Sequence, residues 1–359
     1  MKIGILTFHS ARNYGAVLQC FALQEHLKQN GHEVYVIDYR PYYLNNDKHK
    51  RLKRNPLYYC IKTIIYKGNY KRLNPFKSFI QNKLNTYPTT KLDKQSFKAF
   101  ICGSDQIWNF KICGNTYDNM YFAVFPEAKN AIKVSYGASM GSTQMTEEQK
   151  DLFHSLIKNF DAISVREENI KNFIYNEFGI SSTLVLDPTL LVDYRVFDKI
   201  AIPPKRRRKY VLVYEIQHVE GLIEIAQKIA GEISAEVIQL NGRFSTYFKI
   251  GVKNIQGRTP EEFIGYFKEA AFVVTTSFHG TAFSIIYKRP FYALRQGNER
   301  DIRVNTLLKS LNLLNRFIDI YTDIKYESID YNPIYSNLEQ LKFMSRKFLS
   351  QTLKSASND

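Results

Sequence analysis

The sequence predicts an α/β protein of two Rossmann-like domains facing a cleft, and three observations carry that expectation. Short β-branched runs alternate with amphipathic helical stretches along most of the 359 residues, the pattern of parallel, doubly wound sheets. Strand after strand ends in a polar or glycine-bearing turn, where open α/β sheets present ligand-binding groups. The chain is also long for one core, and the pattern restarts after the Pro- and Arg-bearing connector 203–208.

Taken in order, residues 2–8 form an apolar strand. The turn-rich loop 9–15 and the amphipathic helix 16–29 follow, with Asn30-Gly31 as the helix stop and 33–39 as a second strand. This β-α-β unit has parallel strands and a right-handed connection. Further strands are expected at 97–102, 131–135, 161–165 and 183–186, with a helix over 146–160 opened by a Thr-x-x-Gln capping box. Beyond the connector come a strand at 210–214, a helix at 220–233 and a strand at 236–240. A helix opened by Pro260 with Glu261 and Glu262 on its first turn leads into residues 271–291. Amphipathic helices close the chain near 307–311 and 337–349. The first domain is expected over 1–195 with a basic helical insertion at about 47–95, and the second over 196–359, the connector lying at the boundary.

Composition narrows the function classes. The formal charge of +16 points to an anionic partner or reflects a Lys-rich composition. Residues 47–83 carry eleven Lys or Arg against the single acid Asp47, interleaved with tyrosines and isoleucines. That stretch is either a surface for anionic lipid head groups or a solvated helical face, and no nucleic-acid motif accompanies it. Cys20, Cys60, Cys102 and Cys113 show no paired spacing, which argues against a zinc site and a disulfide scaffold. The N-terminal apolar run is too short for a signal peptide, and no stretch reaches the roughly 18–20 apolar residues of a membrane span. A cytoplasmic protein is expected, or one held peripherally at the inner face of the membrane.

The stretch AFVVTTSFHGTAFSIIYKRPF, 271–291, organises the chemistry. It reads as a buried strand, a turn through 277–281 and a helix over 282–286. A strand feeding a helix through small polar residues leaves backbone N–H groups that favour an anion. His279 sits in that turn and exchanges a proton near neutral pH; alone, it reads equally as a cap or a gap filler. At other expected strand ends stand Asn13, Asp105, Arg166, Lys288, Arg295 and Arg303. A carboxylate, an imidazole and several cations in one cleft suit a reaction on an anionic donor. Asp105 as a helix cap, and Arg166 paired with Glu167 or Glu168 on the surface, are the structural alternatives.

These residues also carry a family resemblance. The run TFHSARNYGAVLQCFALQEHLKQNGHEVYVIDYRP resembles the start of the polysaccharide pyruvyl transferase family. So do FICGSDQIWN, VSYGAS, ISVREE, LVLDPTLL and VVTTSFHGTAFSIIYKRPF, in that order. IRVNTLLKSLNLLNR matches as well and puts Arg303 and Arg316 at basic positions of the family, so the resemblance spans 2–316. It implies a fold similar to the GT-B glycosyltransferases and no cofactor or metal. The implied reaction moves a pyruvyl group from phosphoenolpyruvate onto two hydroxyls of a sugar, as a cyclic ketal on a bacterial capsule or exopolysaccharide.

By that resemblance His279 is the general acid or assists the leaving phosphate, and Asp105 is the base. Arg166, Lys288 and Arg303 hold the donor, with Ser277, Gly280 and Thr281 beside them. Asn13, Tyr14, Gly15, Ser104, Gln106 and Trp108 line the cleft or the acceptor side. Many members carry Arg two residues before the equivalent His, whereas this chain has Ser277; that leaves room for a different donor or a shifted cation such as Arg295. The implied acceptor is a galactose-type residue of a lipid-linked oligosaccharide, which would make sense of the basic stretch. The competing readings are a glycosyltransferase using a nucleotide sugar and a non-catalytic glycan-binding protein. The first lacks a clear carboxylate for a ribose near Gly280, and retention of both Asp105 and His279 weighs against the second.

Overall fold

In the computed structural model, which describes residues 1–44, 75–94, 97–206, 208–241 and 250–355, the chain forms two entirely parallel sheets. The first holds β1 (Lys2–Leu6), β2 (Glu33–Ile37), β3 (Thr86–Tyr87), β4 (Ala99–Cys102), β5 (Ile132–Ala138), β6 (Ala162–Val165) and β7 (Thr183–Leu184) in the order 3-2-1-4-5-6-7. The second holds β8 (Tyr210–Tyr214), β9 (Glu236–Asn241), β10 (Val252–Gln256), β11 (Phe272–Thr275), β12 (Phe291–Leu294) and β13 (Phe317–Ile318) in the order 10-9-8-11-12-13. Strands β4, β8 and β11 are buried at every position, which is why they read as unbroken apolar runs rather than alternating ones. Strand order reverses between β1 and β4 in one sheet and between β8 and β11 in the other. Such reversals open crevices at the carboxyl ends of the strands, where ligands bind in this architecture.

Two helices follow the reversal strands directly. Helix α1 (Tyr14–Gln29) leaves β1 with the Asn13 side chain accepting from the Ala16 N–H at its start. The helix after β11 begins at Phe278, earlier than the sequence suggests. Ser277 accepts from the Gly280 N–H and so acts as its N-cap, which puts His279 on the first helical turn rather than in a loop. The short strands β10, β12 and β13 carry no clear sequence signal, because β10 is largely polar and the other two run only four and two residues. The basic, aromatic stretch expected to meet a membrane lies for the most part outside the described residues. No helix among the described residues is long and apolar enough to cross a membrane.

The two halves meet through an apolar interface rather than a solvent gap. Tyr14 stacks on Phe263 with ring centroids 4.5 Å apart, and it tilts against Tyr214 at 6.2 Å. Each such pair adds about 1 kcal/mol beyond the area it buries. The last helix, Asn332–Ser355, crosses back onto the first half. There the Leu186 N–H donates to Ser345 Oγ at 2.9 Å, and Arg346 donates to the Leu191 carbonyl at 2.8 Å. This return fixes the relative position of the two sheets, and with it the geometry of the site between them.

Candidate active site

Five strand ends converge where the sheets face each other. From the first half, β1 leads to Gly15, β4 to Ser104 and Asp105, β6 to Arg166 and Glu167, and β7 to Asp187; from the second, β11 leads to His279. The elements are held closely. A Cβ on Gly15 would lie 2.0 Å from His279 Nδ1, so α1 approaches the imidazole as only glycine permits. Gly137, at φ +56°, leaves room for the Arg166 side chain in the same way.

Arg166 is the hub. It is 6% exposed, and its Nη1 donates to Asp187 Oδ2 at 2.5 Å. Its Nη2 lies 3.8 Å from Asp105 Oδ1, its Nε lies 3.9 Å from Glu167 Oε1, and its guanidinium sits over the Phe278 ring. Asp187, in turn, accepts at Oδ1 from both the backbone N–H and the hydroxyl of Thr189, while its Oδ2 lies 3.7 Å from His279 Nε2. That last distance is an electrostatic contact rather than a hydrogen bond, and the buried Nε2 has no hydrogen-bonding partner. Burial opposes ionisation of Asp187, yet His279, Arg166 and the Thr189 N–H together hold its carboxyl below the usual range. The Ser104 hydroxyl donates to the Gly137 carbonyl and lies 3.4 Å from the same Asp187 oxygen.

Arg303 completes the cluster from the helix Asp301–Ser310. Burial and the repulsion of Arg166 lower its affinity for the proton, against the pull of Asp105 and Glu167. Arg300, three residues earlier and so on the same helical side, repels it further. Buried nitrogens of Arg166, Arg300 and Arg303 stand without hydrogen-bonding partners. Arg303, repelled by both Arg166 and Arg300, and the unused donors on all three form a site that an anion would neutralise.

Not every expected residue joins this group. Lys288 is exposed and lies past the far end of the helix whose first turn holds His279, roughly 13 Å along its axis. Its ammonium sits over the Tyr335 ring at 4.3 Å, so it is removed from the donor set. Trp108 is fully buried, donates to the Tyr121 carbonyl and stacks on Phe122, which makes it a core residue rather than a cleft one. Tyr14 is 1% exposed and donates to the Arg258 carbonyl at 2.8 Å, so it joins the halves instead of facing an acceptor. Arg295 leans on Phe317 and faces Asp319, and Arg316 donates to the carbonyls of Glu327 and Ser328.

Ser277, Gly280 and Thr281 build the helix start rather than offering free groups. The Ser277 hydroxyl takes the Gly280 N–H, and the Thr281 hydroxyl donates to the Ser277 carbonyl. Asn13 is likewise occupied as the cap of α1. Gln106 is partly exposed, directly after Asp105, whose Oδ1 accepts from its N–H at 2.8 Å.

Asp187, Glu167 and Arg300 are site residues that the sequence did not single out. Asp187 stood in a turn motif, and Glu167 looked like a surface partner of Arg166. Instead both are 2% exposed and face the arginines. The available signal was the charged Arg-Glu-Glu sequence directly after β6 and the Asp-Pro-Thr sequence just beyond β7.

Among solved structures, the UDP-N-acetylglucosamine 2-epimerase of Neisseria meningitidis in its UDP-GlcNAc complex matches with a TM-score of 0.54 at 10% identity, over 99% of this chain and 100% of that one. A Listeria monocytogenes protein assigned as a UDP-N-acetylglucosamine 2-epimerase matches with a TM-score of 0.52 at 10% identity, over 100% of this chain and 97% of that one. At such identity the likeness is one of fold, and the fold is GT-B-like. No curated protein matches the chain in sequence. The family model for polysaccharide pyruvyl transferase matches residues 13–298, a span that runs from the cap of α1 past Asp105, Arg166, Asp187 and His279 to the loop before Arg300. The chain therefore belongs to the polysaccharide pyruvyl transferase family.

Proposed function

We propose that the protein transfers a pyruvyl group from phosphoenolpyruvate to two hydroxyls of a sugar, closing a cyclic ketal and releasing phosphate. The observation that carries this reading is the group of partly unpartnered arginines, Arg166, Arg300 and Arg303, beside Asp105 and His279 at the meeting of the two strand reversals. Phosphoenolpyruvate brings a carboxylate and a phosphate, and guanidiniums with free donors suit both. Arg303 and Arg300 hold the anionic groups, with Arg166 oriented by Asp187 to receive them. His279 serves the departing phosphate. Asp105, the most exposed of the three carboxylates that surround Arg166, takes the proton of the attacking hydroxyl. The acceptor is a galactose-type residue of a lipid-linked oligosaccharide destined for a bacterial capsule or exopolysaccharide, and the chain works at the cytoplasmic face of the membrane.

The test pairs binding with chemistry. Millimolar phosphoenolpyruvate should raise the melting temperature of the wild type. His279→Ala and Asp105→Ala should each slow phosphate release with a galactose-containing acceptor by about 10²-fold or more. Wild-type turnover in both variants overturns the assignment of roles, and the absence of any donor-induced shift points to another ligand.

A further inference from the structure

Glu167 occupies the N-cap position of the helix Glu168–Phe178, where an acid ordinarily accepts from the first free N–H groups, yet its side chain makes no cap hydrogen bond. It turns inward instead. The residue is 2% exposed, and neither carboxylate oxygen has a hydrogen-bonding partner. The groups around it are Arg166, with Nε at 3.9 Å, then Arg303, Asp105 and the Ser139 hydroxyl. Glu168, next in the chain, is the solvated acid of the pair, its side chain 56% exposed and within 3.3 Å of Lys309. A carboxyl buried without hydrogen bonds costs a protein stability, and such groups persist where they serve chemistry.

Resting on the pyruvyl-transfer reading above, we propose that Glu167 is the acid that protonates the methylene carbon of the enol donor, a role separate from those of His279 and Asp105. The O–H bond of the Glu167 carboxyl breaks, and the C2–C3 π electrons of phosphoenolpyruvate form the new C3–H bond. C2 is left electron-poor beside its ester oxygen, and an acceptor hydroxyl attacks it while Asp105 takes that hydroxyl's proton. The C2–O bond to phosphate then breaks, phosphate leaves with the electron pair and carries off the proton that Asp105 took, and the second hydroxyl closes the ketal. Its proton restores the acid. The carboxylate that forms on Glu167 appears next to Arg166 and Arg303, which stabilise it as the charge develops.

The electrostatics agree with this geometry. Burial pushes the Glu167 carboxyl up, against the pull of Arg166 and Arg303, so it keeps its proton to higher pH than an ordinary glutamate. Among the surrounding carboxyls this one is suited to giving a proton, whereas Asp187 is held ionised.

The experiment follows deuterium entering the methyl group of the ketal, by NMR in D2O, with phosphoenolpyruvate and a galactoside acceptor. Wild type, Glu167→Gln and Glu167→Asp are compared, with melting temperatures taken with and without phosphoenolpyruvate. Deuteration in Glu167→Gln should fall by about 10²-fold or more, while its donor-induced melting shift persists. Glu167→Asp, which keeps an acid one methylene shorter, should retain the higher rate of the two. A purely structural role predicts the reverse order, because Gln matches Glu in size, and that order overturns the proposal. So does Glu167→Gln deuterating at the wild-type rate. A wild type that neither deuterates product nor shifts with phosphoenolpyruvate overturns the pyruvyl-transfer reading itself, a result distinct from failure of Glu167 alone.

Discussion

Gly15 and His279 come from opposite halves of the molecule, and a Cβ on the first would stand 2.0 Å from Nδ1 of the second. The imidazole is therefore positioned from outside its own sheet, by the first turn of the helix that follows β1. Replacing Gly15 with Ala should favour that helix by about 1 kcal/mol on propensity alone. It must also push the ring of His279 or separate the halves. The expected result is a loss of roughly 10²-fold in kcat/KM, the scale of a misplacement near 1 Å. Full activity in Gly15→Ala would show that the ring is not held where the structure puts it.

Asp187 connects Arg166 with His279, and its carboxylate is held ionised although it is buried. Asp187→Asn keeps the shape and an acceptor for Thr189 but removes the charge between two basic groups. Breaking a buried ion pair from one side costs about 3 kcal/mol, and urea unfolding should read it. Activity should fall as well, because Arg166 and His279 lose their common reference point. Unchanged stability in this variant would mean that Glu167 and Asp105 suffice to hold Arg166.

How much of this was legible beforehand follows from what a strand end tells and what it hides. Asp105, Arg166 and His279 each come within a few residues of the end of a buried apolar strand, so topology alone carries them to one edge of the molecule. The same rule misplaced Trp108, well past the end of β4, and Tyr14, the first residue of α1, because a residue beyond a strand end can turn into the core as readily as toward a ligand. Lys288 failed for a different reason: it follows a helix, not a strand, and one short helix moves it away from the site. Asp187 and Glu167 were hidden by ambiguity of partner. An acid before Pro-Thr reads as a cap, which Asp187 is through Oδ1, while its other oxygen is free to act elsewhere. Sequence does not reveal which of Glu167 and Glu168 faces inward, since the helix begins between them.

Tyr14 offers a control on those corrections. Its hydroxyl donates to the Arg258 carbonyl across the interface, and its ring stacks on Phe263. Tyr14→Phe should cost about 1 kcal/mol of stability with kcat and the KM for the sugar within about twofold of wild type, since one interface hydrogen bond is lost and the ring contacts remain. Tyr14→Ala should cost about 4 kcal/mol. A large rise in the sugar KM of Tyr14→Phe, without loss of stability, would return this residue to the acceptor side.

The pH dependence of stability should centre on His26, which lies on α1 close to Arg346 of the returning helix. Burial, then Arg346 and His32, lower its pKa from 6.5 to about 4. The folded protein thus binds this proton less readily than the unfolded chain. The stabilisation is complete above the unfolded value and is lost as pH falls through the folded one, so the decline runs from about pH 6.5 to about pH 4. Its ceiling is about 3 kcal/mol, the shift taken at 1.36 kcal/mol per unit. Protonation puts a second positive charge beside Arg346, so the contact it weakens is the one that ties the last helix to the first half. Urea midpoints of wild type and His26→Gln across that window test this. The wild-type midpoint should drop more steeply, with a smaller slope remaining in the variant from His32, whose pKa is also lowered. Parallel curves would place the acid sensitivity elsewhere in the fold.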